Sequence, residues 1–429
     1  MTVPCLTTAL TGPLLALESR FLEAQPKIEH WFRSQWTHHA PPVYGSVDLR
    51  NSGFKLAPVD MNLFPGGFNN LNPDFIPLAV QAMQSALEKI CPEAQSVLLI
   101  PENHTRNTFY LQNVAAIRHI LELAGLTVRL GSLSPDITEP TTLHTANGDA
   151  LVVEPITRQG RQVCLADGFS PCVILLNNDL SGGLPALLEN LDQNLLPPLH
   201  AGWAVRRKSN HFNAYSAVCR EFAALIDIDP WLLDPMFRSC RGLNFQDRQG
   251  EEALAAVVDE LLAEIRIKYA EHGIDAPPFV IVKADAGTYG MGIMTVKDGK
   301  DVIGLNRKQR NKMAVIKEGQ EVSEVIVQEG VYTFEAINAA VAEPVIYMID
   351  RFVVGGFYRV HTGRGVDENL NAPGMHFVPL SFETAGLPDR TGEPDCPTNR
   401  FYAYGVVARL ALLAAARELE ATDPLNAAG

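Results

Sequence analysis

Residues 283–292 read Lys-Ala-Asp-Ala-Gly-Thr-Tyr-Gly-Met-Gly, a lysine followed by Gly287, Gly290 and Gly292 around Thr288 and Tyr289. Glycine allows positive φ and lets successive backbone N–H groups converge on an anion with no Cβ in the way. A lysine beside such a loop adds a point charge, so the pattern suits the phosphates of a nucleotide. No Gly-Lys-Ser/Thr follows and the next segment has strand character, which excludes a Walker A loop, and the glycine order does not fit a Rossmann fingerprint. A plain β-hairpin would use the same glycines for its turn.

Other residues able to do chemistry fall in short blocks. HAGWAVRRKSNHF (200–212) carries Arg206, Arg207 and Lys208, either a solvated basic face or a phosphate site inside an acidic protein. GGFYRVHTGRGVDENLNAPG (355–374) holds Arg359, Arg364, Asp367, Glu368, Asn369 and Asn371. An early polar stretch, residues 47–73, holds Asp48, Arg50, Asn51, Lys55, Asp60, Asn62 and Asn69 among many Gly, Asn and Pro, and is either loop filler or a site. PENHTRN (101–107) contributes Glu102, Asn103, His104 and Arg106. His38 and His39 have no partner at metal-ligand spacing and read as structural or solvent-facing.

These blocks need elements to position them. SVLLI (96–100), a helix over 107–124 and LTVRL (126–130) form a βαβ unit, with CVILLNN (172–178) a further buried strand. PENHTRN then lies beyond the carboxyl end of a strand, where open parallel sheets bind ligands. Helices are expected over 14–36, 74–90, 211–225, 251–272 and 401–420. FVIVKA (279–284), GIMTV (292–296), EVIVQEG (324–330), PVIYMID (344–350) and GGFYRVH (355–361) predict an antiparallel lobe. The expected division is 1–94, a helical segment with a Gly/Asn-rich loop completing the site; 95–250, a parallel α/β substrate and lid domain; and 251–429, a nucleotide-binding domain.

Composition sets the outer limits. At 429 residues, with 47% hydrophobic and 20% charged content, the chain can bury a large core. A net charge of −14 argues against a nucleic-acid binder, which concentrates Lys and Arg to release counterions. No apolar run approaches the roughly 20 residues that span a bilayer, and the first residues lack a basic n-region, so the expected location is cytoplasmic. Seven scattered cysteines without a C-x-x-C pair predict free thiols.

In order and spacing, a lysine-tipped strand, a glycine-rich flap and a later strand resemble an ATP-grasp fold, whose hinge reads adenine. That resemblance implies Lys283 and Lys208 as phosphate ligands and Gln328, Glu329 and Val331 as the hinge. The 355–374 block looks like the stretch of glutathione synthetases that lines the acyl-phosphate site, which implies Arg359, Arg364 and Asn371 for catalysis.

Over nearly its whole length, through the blocks 28–71, 97–107, 175–183, 196–212, 282–292 and 358–374, the chain resembles a family of bacterial glutamate–cysteine ligases distinct from the enterobacterial and plant types. The resemblance implies an α/β protein with α+β lobes, ATP-grasp-like and with a parallel-sheet βαβ domain. The implied reaction joins L-glutamate and L-cysteine through γ-glutamyl phosphate, with ATP and Mg²⁺ and small molecules as its partners, as the first step of glutathione synthesis. The usual late E-x-N of the metal site is missing. Val47-Asp48-Leu49 and Asp60-Met61-Asn62 look like that pair displaced to the front, as in a circular permutation, with Asp48, Asp60 and Asn62 as ligands; Asp367 and Glu368 are the alternative. Arg50, Asn51, Lys55 and Asn69 are expected to bind glutamate, Glu102 and Arg106 the other amino acid, and Glu335 or Glu343 the ribose. Glutathione synthetase, another ATP-grasp peptide ligase, or a nucleotide-binding protein without turnover remain the rival readings.

Overall fold

The computed structural model describes residues 13–103, 107–287, 292–314, 321–380 and 401–426. Helices α1 (Pro13–Glu23) and α2 (Gln25–His38) lead into strands β1 (Tyr44–Asn51) and β2 (Leu56–Asn62). The expected single helix over 14–36 is split because Pro26 sits in the first turn of α2, the position where a missing N–H costs least. Next come α3 (Ile76–Ile90), β3 (Ser96–Pro101), α4 (Thr108–Leu123), β4 (Thr127–Ser132), β5 (Thr141–His144) and β6 (Ala150–Pro155). A small hairpin, β7 (Thr157–Gln159) and β8 (Gln162–Cys164), precedes β9 (Val173–Asn177) and β10 (Asn194–Leu196).

The second half opens with α5 (Lys208–Ile226), β11 (Phe237–Arg241), α6 (Glu251–Glu271), β12 (Val280–Ala284) and β13 (Ile293–Val296). Short helices α7 (Gly299–Ile303) and α8 (Arg307–Ala314) lead to β14 (Glu324–Glu329). Then follow β15 (Ala336–Ile337), β16 (Ala340–Ile349), β17 (Phe352–His361), β18 (His376–Pro379) and the closing helix α9 (Phe401–Thr422).

Three sheets position the site. The strands β10-β9-β3-β4-β6 run parallel, with β5 antiparallel at one edge. An antiparallel sheet in the order β11-β14-β12-β13 packs its apolar side chains, such as Val282 and Val327, with Leu254, Leu261 and Ile265 of α6. A second antiparallel sheet has the order β18-β17-β16-β1-β2, so strands from the start of the chain complete a sheet built mainly from its end.

β1 and β2 lie in the stretch whose composition suggested loop. Almost every residue of β1 is buried, on both faces, so the alternation that marks a half-exposed strand is absent. Its polar side chains are satisfied by residues far along the chain: Asn51 Nδ2 donates to Glu335 Oε1 at 2.8 Å and Arg50 Nε to Glu343 Oε2 at 2.9 Å. Helix α9, rich in the strong helix formers Ala and Leu, is buried along Ala403–Ala416 apart from Arg409 and covers β1 and β2.

Two cysteines depart from the expected free thiols. Cys91, after α3, and Cys172, before β9, are joined by a disulfide across 81 residues, because β9 pairs with β3 and α3 runs directly into β3. Cys164, Cys219 and Cys240 are free and buried. Among the described residues no helix is long and apolar enough to cross a membrane.

A fully buried ion pair ties β14 to the turn between β1 and β2. Lys55 Nζ donates to Glu329 Oε2 at 2.6 Å and lies 4.3 Å from the ring centroid of Trp231, whose Nε1 donates to Glu329 Oε1 at 3.2 Å. Removing one member strands the other charge, so Lys55→Met should lower unfolding free energy by about 3–5 kcal/mol. Denaturant titration should show the Lys55→Met/Glu329→Met double variant losing clearly less than Lys55→Met alone.

Candidate active site

A cleft of about 810 Å³ opens between the β11-β14-β12-β13 sheet and the sheet that contains β1 and β2. Lys283 ends β12 and Lys208 begins α5, and Asp285 holds these two elements together. Its Oδ1 accepts from Ser209 N and its Oδ2 from Ser209 Oγ, both at 2.7 Å, while its carbonyl accepts from Lys208 N at 2.8 Å. Asp285 thus satisfies the first amides of α5, which the helix itself leaves without partners.

Asp60 of β2 faces both ammonium groups. Lys208 Nζ donates to Asp60 Oδ1 at 2.7 Å and lies 4.3 Å from the Trp203 ring centroid. Lys283 Nζ donates to the Val59 carbonyl at 2.5 Å. Burial alone would raise the Asp60 carboxyl, yet Lys208 and Lys283 outweigh it and hold it well below the usual carboxylate range. Lys283 moves the other way. Burial, with Lys208 and Arg50 nearby, pushes its ammonium down to about 7 against the opposing pull of Asp60 and Asp48.

The register of β1 and β2 places Asp48 opposite Asp60 and Ser46 opposite Asn62, so four oxygen-bearing side chains line one edge of the cleft system. Arg359 of β17 donates to Asp48 Oδ2 at 2.9 Å and to Glu343 Oε1 at 2.6 Å. Arg50 continues the row, from Glu343 to the carbonyls of Val331 at 3.2 Å and Glu368 at 2.6 Å. Burial raises the Asp48 carboxyl in spite of Arg359, and Asp48 and Glu343 together hold the Arg359 guanidinium charged.

A second, larger cavity of about 2010 Å³ adjoins the first, and Asp48, Asp60, Arg359 and Asn371 line both. It lies at the carboxyl ends of β3 and β9, as expected for a parallel sheet. Its floor is a buried amide network. Asn113 Oδ1 accepts from Gly67 N at 2.8 Å and Phe68 N at 2.9 Å, Asn113 Nδ2 donates to Asn177 Oδ1 at 2.9 Å, and Tyr110 Oη donates to the Asn177 carbonyl at 2.7 Å. Gly67 has φ of 110°, and a Cβ there would come within 2.8 Å of Tyr347 Oη, so this turn excludes other residues. Glu102 Oε1 accepts from the backbone amide of Asp179 at 3.0 Å, and both residues line the wall.

The structure therefore gathers Lys208, Lys283, Gly287, Gln328, Glu329, Val331, Arg50, Asp48, Asp60, Arg359, Asn369, Asn371 and Glu343 at the first cavity. It places Asn62, Asn69 and Glu102 at the second. Arg50 sits at the first cavity rather than with Asn69. Lys55 and Asn51 line neither cavity, because each is consumed by a buried partner, Glu329 and Glu335 respectively. Glu335, which also accepts from Tyr404 Oη, is likewise remote, leaving Glu343 as the glutamate beside the cleft.

Arg364 forms an exposed ion pair with Glu368, and Asp367 pairs with Lys297 at 2.7 Å; Arg364 and Glu368 line a third cavity that shares Asn369 and Asn371 with the first. The Gly292 carbonyl accepts from Ala284 N at 3.1 Å and closes the base of the β12-β13 hairpin. Thr288, Tyr289, Gly290, His104 and Arg106 lie outside the described residues. Sequence reasoning passed over Trp203, Asp285, Asn113, Asn177 and Tyr347. The polar run Asn177-Asn178-Asp179 after an apolar strand was the available signal for one of them, and Asp285 and Trp203 lie within the blocks 283–292 and 200–212; nothing local marks Asn113 or Tyr347.

Residues 18–419 match the glutamate-cysteine ligase family. The chain belongs to that family. It is 69% identical, over 99% of its length and 100% of the other chain, to a crystal structure from Methylobacillus flagellatus KT provisionally named a gamma-glutamylcysteine synthetase, with a TM-score of 0.91. Far more distant likenesses, which carry no argument, are to D-alanyl-alanine synthetase A of Vibrio cholerae and a glutathione synthetase-like effector of Globodera pallida. The first is 12% identical over 74% of this chain and 81% of that one, with a TM-score of 0.34. The second is 11% identical over 81% and 78%, with a TM-score of 0.38. No curated protein matches.

The family uses ATP, and if Lys283 is one of its phosphate ligands, as we propose, its lowered pKa predicts nucleotide binding that is sensitive to pH. In the free protein Lys283 is charged below about 7 and neutral above it. Phosphate oxygens favour the charged form and so raise its pKa in the complex. Affinity for ATP should therefore fall as pH rises from 7 to 9, and calorimetry at pH 8 in buffers of different ionisation enthalpy should show uptake of about one proton. Lys283→Arg, whose charge does not titrate, should abolish the uptake.

Proposed function

We propose that the protein joins the γ-carboxylate of L-glutamate to the amine of L-cysteine through γ-glutamyl phosphate, and that the transfer takes place where the two cavities meet. The observation that carries this is the shared lining: Asp48, Asp60, Arg359 and Asn371 face both the nucleotide cleft and the larger cavity. A phosphoryl donor on one side and a carboxylate on the other need such a junction, because the reacting atoms must approach to about 3–3.5 Å.

In this reading ATP lies with its base toward Gln328 and Val331 and its phosphates between Lys208 and Lys283, under the Gly287 loop. The side chain of Gln328 fits the base end, since its Nε2 is buried without a partner among the described residues. A glutamate γ-carboxylate oxygen attacks the γ-phosphorus and ADP departs with the bridging oxygen. The cysteine amine then attacks the acyl carbon, and phosphate leaves. Arg359 faces the negative charge that develops on the transferred phosphoryl group and on the tetrahedral intermediate, and Asp48 and Glu343 fix its orientation. Glu102 and Asp179 offer acceptors for an α-ammonium group in the larger cavity.

The metal reading fits the donors present. Asp48, Asp60 and Asn62 supply only oxygen, and among the described residues no cluster of three or more His, Cys, Asp or Glu could hold an ion alone. Magnesium prefers such a sparse set, completed by phosphate oxygens and water. When bound it would neutralise the charge on the β- and γ-phosphates. This chemistry implies the cytoplasm, where ATP and both amino acids are at hand.

The test is purified protein with ATP, Mg²⁺ and glutamate, followed by either cysteine or γ-glutamylcysteine with glycine. ADP release that requires cysteine and yields γ-glutamylcysteine by mass supports the assignment; ADP release only with the glycine pair overturns it in favour of a glutathione synthetase. Asp60→Asn should lower kcat by at least about 100-fold, roughly 2.7 kcal/mol of barrier, with an unchanged circular dichroism spectrum.

A further inference from the structure

Among the described residues β2 is the edge strand of its sheet, with β1 on one side and no strand on the other. Edge strands expose carbonyls and amides that some other group must satisfy. Here two cations do so. Lys283 Nζ takes the Val59 carbonyl at 2.5 Å, and Arg206 Nη1 takes the Met61 carbonyl at 2.9 Å. The two carbonyls flank Asp60, and the second lies between Asp60 and Asn62.

Arg206 is itself held in a buried lattice. Its Nε and Nη2 each donate at 2.8 Å to the Glu418 carboxylate of α9, a bidentate pair in which the residues are 4% and 3% exposed. His211 Nδ1 lies 3.1 Å from Glu418 Oε2, and the Arg206 guanidinium lies over the Trp203 ring at 5.0 Å. The fork geometry of guanidinium on carboxylate leaves Nη1 aimed at one point, the Met61 carbonyl. The backbone of Lys208 is held separately, since its amide and that of Ser209 are anchored by Asp285, although its ammonium shares the Trp203 ring with Arg206.

We propose that Arg206 and Glu418 are positioning residues for the Asp60–Asn62 segment, acting through the Met61 carbonyl to set how that segment takes part in metal-assisted nucleotide binding. The proposal rests on the reading of Asp60 and Asn62 as the metal-bearing segment. When phosphates draw Lys283 away from Val59, Arg206 is the cation left on the edge of β2. A strand paired with β1 along one edge and held at the Met61 carbonyl on the other resists rotation about its axis, and Asp60 and Asn62, two residues apart, keep facing the cleft together. The sequence signal was hidden because Arg206 sits in a basic run that reads as a solvated face, and Glu418 in an Ala/Leu helix that reads as core.

Two variants test it. Arg206→Leu/Glu418→Leu replaces a buried pair with apolar groups, which usually preserves folding. Arg206→Lys keeps the charge opposite Glu418 but has no fork to reach Met61 as well, and it carries the same measurements if the double variant does not fold. ATP affinity is measured by calorimetry without amino acids, once in Mg²⁺ and once in EDTA. We expect the gain in affinity conferred by Mg²⁺ to fall at least tenfold in a folded variant, while affinity in EDTA stays within about twofold and half-maximal Mg²⁺ for turnover rises. A folded variant that retains the full Mg²⁺-dependent gain overturns the proposal. If the wild-type protein itself shows no such gain, the metal reading fails instead, and the clamp with it.

Discussion

Two ammonium groups held beside one carboxylate are the constraint on which the arrangement depends. Lys208 and Lys283 repel each other, and burial already disfavours the charge on Lys283. Asp60 offsets that cost in the free protein, and a polyphosphate would take over the same role when bound. The site is therefore balanced before it is filled, and every element around it maintains the balance. Asp285 ties the helix that carries Lys208 to the strand that carries Lys283. Strand β1 sets Asp48 opposite Asp60, and Arg359 meets Asp48 from β17.

The order of the chain follows from this balance. Strands β1 and β2 bring acidic and amide oxygens, while the sheet that receives them is made by β16, β17 and β18. Chain order is immaterial to a sheet, because its hydrogen bonds join neighbours in space. Helix α9 covers the join and contributes Glu418, so the two ends of the chain stabilise each other beside the cleft. The parallel sheet brings a different kind of ligand wall. The ends of β3 and β9 supply backbone, amide and carboxylate groups, with no lysine or arginine among the described residues of that wall apart from the shared Arg359.

Much of this was legible in the sequence where a residue's role is local. The glycine-rich loop after Lys283, the βαβ unit, the antiparallel strands of the second half and the long helices all follow from patterns of a few residues. The pairing of Asp48 and Asp60 with the nucleotide cleft came from the resemblance to a known family and from the missing late E-x-N. Arg50, Asn51, Lys55 and Asn69 read as one set of glutamate ligands because a zwitterion needs both a cation and acceptors. In the fold they part, Arg50 to the cleft, Asn51 to Glu335 and Lys55 to a sealed pair with Glu329.

The sequence by itself determined most of the helices, the βαβ unit and the antiparallel strands of the second half, and which family the chain resembles. Only the tertiary structure decided that residues 44–62 are strands, that Arg206 and Glu418 are buried, and that Glu343 rather than Glu335 stands beside the cleft. The reason is the range of the interactions. Backbone preference and hydrophobic period act over a turn or a strand, whereas Arg359 meets Asp48 across 311 residues, Lys283 meets Val59 across 224 and Lys208 meets Asp60 across 148. A charged side chain carries no local mark of whether its partner is water or another residue, and sheet register supplies that answer once the strands have paired.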